Sequence, residues 1–292
     1  MRYYLRKGTL ILRGSFRAAS TGISGGLSRV SSILNHTLEP GGIQESPERE
    51  LQGIIAGEGL PPDFFGLITS VNMNHLCILQ YDFITTFITA GIPSGTAQGH
   101  TINLVLHSRE GMTDAALLEC IAIATEAKTS ALASMGYYFS GTPGDSVIAA
   151  CEGDTSHESA GILSDIGSRI FAAVRFGIPE ALHRHDGTVS RNRPSFFIYS
   201  RFEGDHWVEW LPDQCPYYPC HFAGQACDFC YCPFYPCSDE TLGQWVKSSS
   251  QHGVVWNCSP CTLLHQPDVA KYLADHPEAS LEELKAKIRL KK

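Results

Sequence analysis

Eight of the eleven cysteines fall between Cys215 and Cys261, and no other feature of this 292-residue chain limits its folding so sharply. Within that stretch CPYYPC (Cys215 to Cys220) recurs as CPFYPC (Cys232 to Cys237), Cys227-x-x-Cys230 lies between the copies, and Cys258-x-x-Cys261 closes the set. A Cys-x-x-Cys turn presents two sulfurs to one tetrahedral ion, and eight ligands suit two closed four-coordinate sites. The same stretch contains only Leu242, Val246, Val254 and Val255 as branched aliphatic residues, too few for burial to offset chain entropy. A structural zinc supplies on the order of 10 kcal/mol or more of apparent folding energy in small peptides, against about 1.5 to 3 kcal/mol for one buried leucine. The expectation is a small metal-binding domain with two structural zinc ions, ligated by Cys215, Cys220, Cys227, Cys230, Cys232, Cys237, Cys258 and Cys261. An iron–sulfur cluster uses similar spacing, and His221, His252 and His265 are alternative ligands. Closed thiolate sites leave no open coordination position, so any chemistry is expected elsewhere in the chain.

Treating clustered cysteines as ligands rather than disulfides assumes a reducing compartment. The basic N-terminus carries only Thr9 to Leu12 as an apolar run, too short for a secretory signal. Leu76 to Ile92 is broken by Gln80, Asp82 and threonines, short of the roughly 20 apolar residues a membrane span needs. A cytoplasmic protein without membrane association is expected. A formal charge of -8 repels a phosphate backbone, so a nucleic-acid partner is not expected, although Lys285 to Lys292 form a basic end.

Upstream of the cysteines the pattern is α+β, a layered sheet-and-helix domain over residues 1–188. Thr9 to Ala19 alternates as a half-buried strand does, and further strands are expected near Phe64 to Val71, Leu76 to Tyr81, Phe83 to Ala90, Thr101 to Leu106 and Asp145 to Cys151. Ser46-Pro47 opens a short helix that stops at Gly57, and Thr113 caps a longer one ending at Gly136. A third helix is expected from near Ser156, closed by Gly177 and Pro179. Arg184 to Pro194 has the composition of a linker. Residues 193–292 then form the second domain: an aromatic hairpin from Ser195 to Trp210, the cysteine cluster, and a final helix opened by a Ser280/Glu283 capping box.

The polar residues of the first domain gather in short strings. RAASTGISGG (Arg17 to Gly26), LNHT (Leu34 to Thr37), FGLITSV, FITAGI, TINLVL, MTDAALL, ATEAKTSAL (Ala124 to Leu132) and SGTPGDSVIAAC (Ser140 to Cys151) follow one another in order. Taken together they resemble the adenosylcobinamide amidohydrolase family of corrinoid salvage, over roughly residues 8–180. The cysteine-rich module resembles a small domain attached to that family in archaea. The resemblance implies a corrinoid substrate and hydrolysis of the amide that joins cobyric acid to aminopropanol, releasing adenosylcobyric acid for coenzyme B12 synthesis. It does not say which residues act.

Amide hydrolysis needs an activated water or nucleophile, donors for the oxyanion and an acid for the departing amine. His36 is the candidate general base or acid because imidazole titrates near neutrality; the alternative is a buried hydrogen-bonding histidine. Glu126 is a candidate to orient water or protonate the amine, against an exposed helix carboxylate near Lys128. Asp145 either orients His36 or caps its turn. Asn35, Thr89 and Asn103 are candidates to bind corrinoid amides, and Thr21 to donate to the oxyanion. Cys77 and Cys151 are competing nucleophiles, disfavoured by apolar strands that raise a thiol pKa. A corrinoid-binding or zinc-dependent adaptor without hydrolysis is the alternative function.

Overall fold

The computed structural model describes residues 1–38, 46–92, 101–141, 144–201, 204–211, 214–215, 217–247 and 254–289. It divides into two compact units, the first reaching Trp210 and the second beginning at Leu211. No helix among the described residues is long and apolar enough to cross a membrane.

The first unit is α+β, as expected from its periodicity. In chain order it contains β1 (Arg2–Arg6), β2 (Thr9–Ser20), β3 (Gly26–Thr37), α1 (Pro47–Gly57), β4 (Phe64–Thr69), β5 (Cys77–Tyr81), β6 (Ile84–Gly91), β7 (Thr101–Ser108), β8 (Gly111–Met112), α2 (Asp114–Ser134), β9 (Ser146–Cys151), β10 (Thr155–His157), α3 (Asp165–His185), β11 (Ser195–Ser200) and β12 (His206–Glu209). One ten-stranded mixed sheet runs β12-β11-β5-β6-β7-β9-β2-β3-β4, with β1 also paired to β2, while β8 and β10 form a separate pair.

The long β2–β3 ribbon has an irregularity between Arg13 and Phe16, the kind of defect that bends a strand. Its inner face carries Leu10, Leu12, Ile33 and Val30, which share one core cluster with Phe65 and Leu67 of β4 and with Phe87, Val105 and Ile148 of β6, β7 and β9. The sheet therefore curls around that cluster. Outside the curl, α2 and α3 bury Leu117, Ala124, Ile170 and Val174 against Leu79, Ile88, Leu104 and Ala149. Leu51 and Ile55 of α1 cover Ile11 and Leu34 on the outward face of β2 and β3.

Local signals explain the helix starts. Ser46 accepts from Arg49 N at 3.4 Å, and Thr113 from Ala116 N at 3.1 Å, so both expected caps are present. The expected third helix is corrected at both ends. Residues 155–157 pair with β8 instead, and Ser164 caps the helix by accepting from Gly167 N at 3.0 Å. Nor do Gly177 and Pro179 end it, since α3 runs on to His185 with the proline inside. The carbonyl that Pro179 leaves without its helical donor belongs to Arg175, an exposed residue. Gly177 instead brings helix and sheet together: a Cβ there would stand 2.6 Å from Ile88 Cδ1 and 2.8 Å from Leu79 Cδ1.

The first compact unit runs on past the boundary expected between residues 188 and 193. β11 pairs in parallel with β5, Ser195 opposite Cys77, so the aromatic hairpin completes the first sheet. Arg184, assigned to a linker by composition, is 2% exposed. It donates to Ser195 Oγ at 2.7 Å, Glu180 Oε2 at 2.8 Å and Glu209 Oε1 at 3.0 Å, fastening α3 to both hairpin strands.

The second unit contains β13 (Gln244–Lys247), β14 (Val254–Asn257), α4 (Pro267–Asp275) and α5 (Leu281–Arg289). Its core is built from Leu263, Leu264, Val269, Leu273, Ala279 and Leu284, with Cys232, Cys261, Phe229 and Phe234 packed against it. The fully buried aliphatic support thus lies after the cysteines, with Phe229 and Phe234 joining it from among them. The expected capping box is formed: Ser280 N donates to Glu283 Oε2 at 2.6 Å and Glu283 N to Ser280 Oγ at 3.2 Å.

Substituting Gly177→Val forces β-branched bulk against Ile88 and Leu79. The expected cost is about 1 to 3 kcal/mol, or roughly 2 to 4 °C of melting temperature per kcal/mol in a domain of this size. An unchanged melting curve would show that the contact is not tight.

Candidate functional site

The strand β3 sends consecutive side chains to opposite faces of the sheet, and this divides the expected Asn35-His36 site. Asn35 points into the curl. Its Nδ2 donates to Thr89 Oγ1 at 3.0 Å, and its Oδ1 accepts from Asn103 Nδ2 at 3.0 Å. Asn103 Nδ2 also donates to the Ile68 carbonyl at 3.0 Å, so β3, β4, β6 and β7 are tied together inside the sheet. Asn35, Thr89 and Asn103 are 2%, 0% and 1% exposed. The three are brought together as partners of one another. Asn103 Oδ1 is buried with no hydrogen-bond partner among the described residues, which leaves one strong acceptor unmet in this ladder.

His36 points outward, beneath α1. Its Nδ1 lies 2.8 Å from Thr9 Oγ1, the residue opposite it in the β2–β3 register, and its Nε2 faces Glu50 Oε1 at 3.7 Å. A separation of 3.7 Å is long for a direct hydrogen bond and is of the kind that a water bridges.

Asp145 stands just before β9. Its Oδ2 meets Lys128 Nζ at 2.7 Å, and its Oδ1 accepts from Ile102 N at 2.9 Å, at the start of β7. Both side chains of the pair are nearly buried, 6% exposed for Lys128 and 8% for Asp145. A buried pair of this kind is expensive to break, because either partner alone is an uncompensated charge. Lys128 was not among the expected site residues. Glu126, two positions earlier on α2, is exposed. His36, Glu126 and Asp145 thus stand on β3, on α2 and ahead of β9, and the partners of His36 and Asp145 are separate.

Thr21 follows β2, where its hydroxyl accepts from Val147 N at 2.9 Å and donates to Val147 O at 3.4 Å. The neighbouring Gly22 leaves no space open to a ligand. Its missing side chain is instead replaced by protein, since a Cβ would sit 2.4 Å from Leu67 Cδ2 and 2.7 Å from the Gly66 carbonyl. The thiols of this unit are poor nucleophiles: burial pushes Cys77 up to about 12 and raises Cys151 as well.

A cavity of about 330 Å³ is lined by Ser15, Arg17, Arg29, Cys151, Glu152 and Thr155, with none of Asn35, His36, Glu126 and Asp145 in its lining. Arg17 and Arg29 are opposed across β2 and β3, and Arg17 Nη2 pairs with Asp114 at 2.7 Å. Burial alone would raise Glu152, but the hydrogen bond from His107 Nε2 at 2.9 Å helps hold it down to about 2.

In the second unit all eight cysteines of the cluster are free thiols. No group of three or more His, Cys, Asp or Glu side chains among the described residues is drawn together tightly enough to hold an ion, so the fit of a metal rests on donor chemistry. Gln225 Nε2 lies 3.2 Å from Cys220 Sγ and 3.4 Å from Cys227 Sγ. Burial raises Cys230 to about 11, with Cys220, Cys227 and Cys215 adding to the rise; Cys232 is likewise raised to about 11 by burial, then by Cys258, Cys261 and Cys237. Thiols gathered so that each opposes its neighbours' ionisation are groups a cation stabilises, and the donor set therefore fits a metal. Of the histidines, His265 Nδ1 lies 2.9 Å from the Ala226 carbonyl, and its ring is 4.4 Å from that of His221. His252 lies outside the described residues.

Comparison with known proteins gives these parts a class. Residues 7–190 match the family model described as "Adenosylcobinamide amidohydrolase", and residues 206–288 the one described as "Cysteine-rich small domain". The first unit is accordingly a hydrolase of amide bonds, joined to a cysteine-rich module. An adenosylcobinamide amidohydrolase of Methanosarcina mazei is 37% identical over 195 residues, 62% of this chain and 98% of that protein. One from Halobacterium salinarum is 30% identical over 191 residues, covering 58% and 81%. A shorter match, 52% identical over 56 residues, covers 18% of this chain and 15% of a probable cobalt-factor III C(17)-methyltransferase of Methanothermobacter thermautotrophicus. The chain belongs to the adenosylcobinamide amidohydrolase family.

Glu152 offers a test of the electrostatics around the cavity. A carboxylate held below its unfolded value contributes stability that is complete above about pH 4.5 and is lost as pH falls towards 2. Glu152→Gln is expected to flatten the loss of stability over that interval, measured as urea midpoints at successive pH values. An acid limb identical to wild type would remove the assignment.

Proposed function

We propose that the first unit hydrolyses the amide linking cobyric acid to aminopropanol in adenosylcobinamide, releasing adenosylcobyric acid for cobalamin salvage in the cytoplasm. The observation that carries this is the match over residues 7–190, extending over 98% of the Methanosarcina relative. The eleven cysteines, all free thiols, suit a reducing compartment.

His36 is the proposed base. Thr9 fixes Nδ1, and a water beside Nε2 and Glu50 Oε1, which stand 3.7 Å apart, would be deprotonated near neutral pH. Asp145 is proposed as a positioning residue. By binding Lys128 and Ile102 N it fixes the start of β7, next to Asn103, and the buried ladder of Asn35, Thr89 and Asn103 is proposed to set the strand geometry around the corrinoid rather than to touch it. Thr21 is the proposed oxyanion donor: its hydroxyl accepts from Val147 N at 2.9 Å, but its own proton reaches Val147 O only at 3.4 Å. Glu126 has the weakest support of the acid–base candidates, because it is exposed on α2.

Aminopropanol release from adenosylcobinamide by the full chain tests the activity. His36→Ala is expected to lower turnover at least about tenfold, and Glu126→Gln to leave it within about twofold. Full turnover by the His36 variant would discard it as the base, and binding without release would replace the hydrolase with an adaptor.

The cysteine module is proposed to hold two structural zinc ions, with no step of the hydrolysis passing through them. Trp245 and Trp256 report on it, their rings 5.3 Å apart and Trp256 buried. Stripping metal with a chelator under reducing conditions is expected to shift tryptophan fluorescence and melt this unit while aminopropanol release stays within about twofold. Loss of release in step with the metal would assign the ions to catalysis.

A further inference from the structure

The eight thiols form two copies of one arrangement, a symmetry that the spacing alone conceals. The first copy reads Cys215-x4-Cys220-x6-Cys227-x2-Cys230, the second Cys232-x4-Cys237-x20-Cys258-x2-Cys261. Only the third spacing differs, and the fold accounts for it. Residues 244–257 run from the first residue of β13 to the last of β14, and the hairpin pairs Gln244 with Asn257. The chain therefore comes back, immediately before Cys258, to the place it left after residue 243. Gly243 stands there, where a Cβ would meet Asn257 O at 2.7 Å and the Trp256 ring at 2.8 Å. With the hairpin set aside, residues 238–243 separate Cys237 from Cys258, the same six-residue spacing that residues 221–226 give the first copy.

The turns agree copy for copy. Tyr218 N donates to Cys215 O at 3.2 Å and Tyr235 N to Cys232 O at 3.1 Å; Cys230 N donates to Cys227 O at 3.2 Å and Cys261 N to Cys258 O at 2.9 Å. Gln225 brings Cys220 and Cys227 of the first copy to one amide nitrogen. Cys232 and Cys261 of the second copy pack on one apolar cluster.

We propose that the ligands divide by sequence order: Cys215, Cys220, Cys227 and Cys230 bind one ion, and Cys232, Cys237, Cys258 and Cys261 bind a second, as a tandem repeat whose second copy carries the β13–β14 hairpin as an insertion. The partition rests on the metal reading above and adds the pairing to it. A cross-braced module would instead join Cys215 and Cys220 to Cys232 and Cys237.

Ions counted per chain by native mass spectrometry on the full protein separate these arrangements. Cys220→Ser with Cys227→Ser removes two ligands from one tandem site and is expected to lower the count from two to one. Cys220→Ser with Cys237→Ser damages both sites and is expected to lower it to zero. The reverse pattern would establish cross-bracing and overturn the partition while leaving the metal reading intact. Where a variant fails to fold, the wild-type chain loaded with cadmium-113 decides, because each cadmium resonance couples to the β-protons of its own four cysteines. Couplings from one cadmium to both copies would refute the tandem arrangement, and wild-type protein that binds neither zinc nor cadmium would refute the metal reading with it.

Discussion

The first unit depends on the return of the β2–β3 ribbon over the rest of its own sheet. In hydrogen-bonding order β3 is separated from β7 by β9 and β2, and in a flat sheet three strand spacings of about 4.8 Å would hold Asn35 some 14 Å from Asn103. Their side chains are 3.0 Å apart. Curling removes both faces of the ribbon from water at once: the inner face closes on Phe87, Val105 and Ile148, and the outer face is left for α1. The asparagine–threonine ladder lies where the curl closes, so its hydrogen bonds fix how far the strands approach, whereas the apolar contacts alone would tolerate sliding. Buried polar groups that satisfy one another in this way trade some hydrophobic stability for a single geometry.

The two units solve the same entropic problem by different means. The first buries a continuous apolar core on both faces of a large sheet. The second combines a small helical core after Cys261 with thiols that lie against it, Cys232 and Cys261 being part of both. A ligand that is also a core residue couples ion binding to packing, since misplacing the sulfur also opens the cluster formed by Phe229, Phe234 and Leu263. That coupling gives the module reason to be conformationally sensitive to its metal even though four turns of backbone are already in place.

Much of this was legible in the sequence, where local signals and tertiary environment agree. The alternation of β2, the caps of α1 and α2 and the Ser280/Glu283 box are short-range features, and each reads directly. β3 escaped notice because its first four residues, Gly26 to Arg29, are exposed and polar or glycine apart from Leu27, so the apolar alternation begins only midway. With β3 unrecognised, Asn35 and His36 looked like neighbours in one site, although strand geometry sends them to opposite faces. Gly177 and Pro179 carry the usual marks of a helix end, yet one serves close packing and the other is tolerated beside an exposed turn. Lys128 had a local clue, standing between Ala124 and Ala131 on the buried stripe of α2, whereas its partner Asp145 lies 17 positions on and needs the fold to be found. The burial of Arg184 is explained only by Ser195 and Glu209, across a turn whose composition suggests solvent.

The strand β11 has a practical consequence for anyone dissecting the molecule. The family match stops at residue 190, which invites cutting there, but such a fragment would lose the partner of β5 and expose that strand's backbone as a raw, sticky border. Unpaired borders of this kind recruit other chains. The same cut would strand the guanidinium of Arg184 without Ser195 and Glu209 in an apolar setting, so the fragment would be prone to precipitate. An inactive truncation at that point would therefore report on colloidal behaviour and not on the chemistry of the missing metal module; the informative cut lies after Trp210.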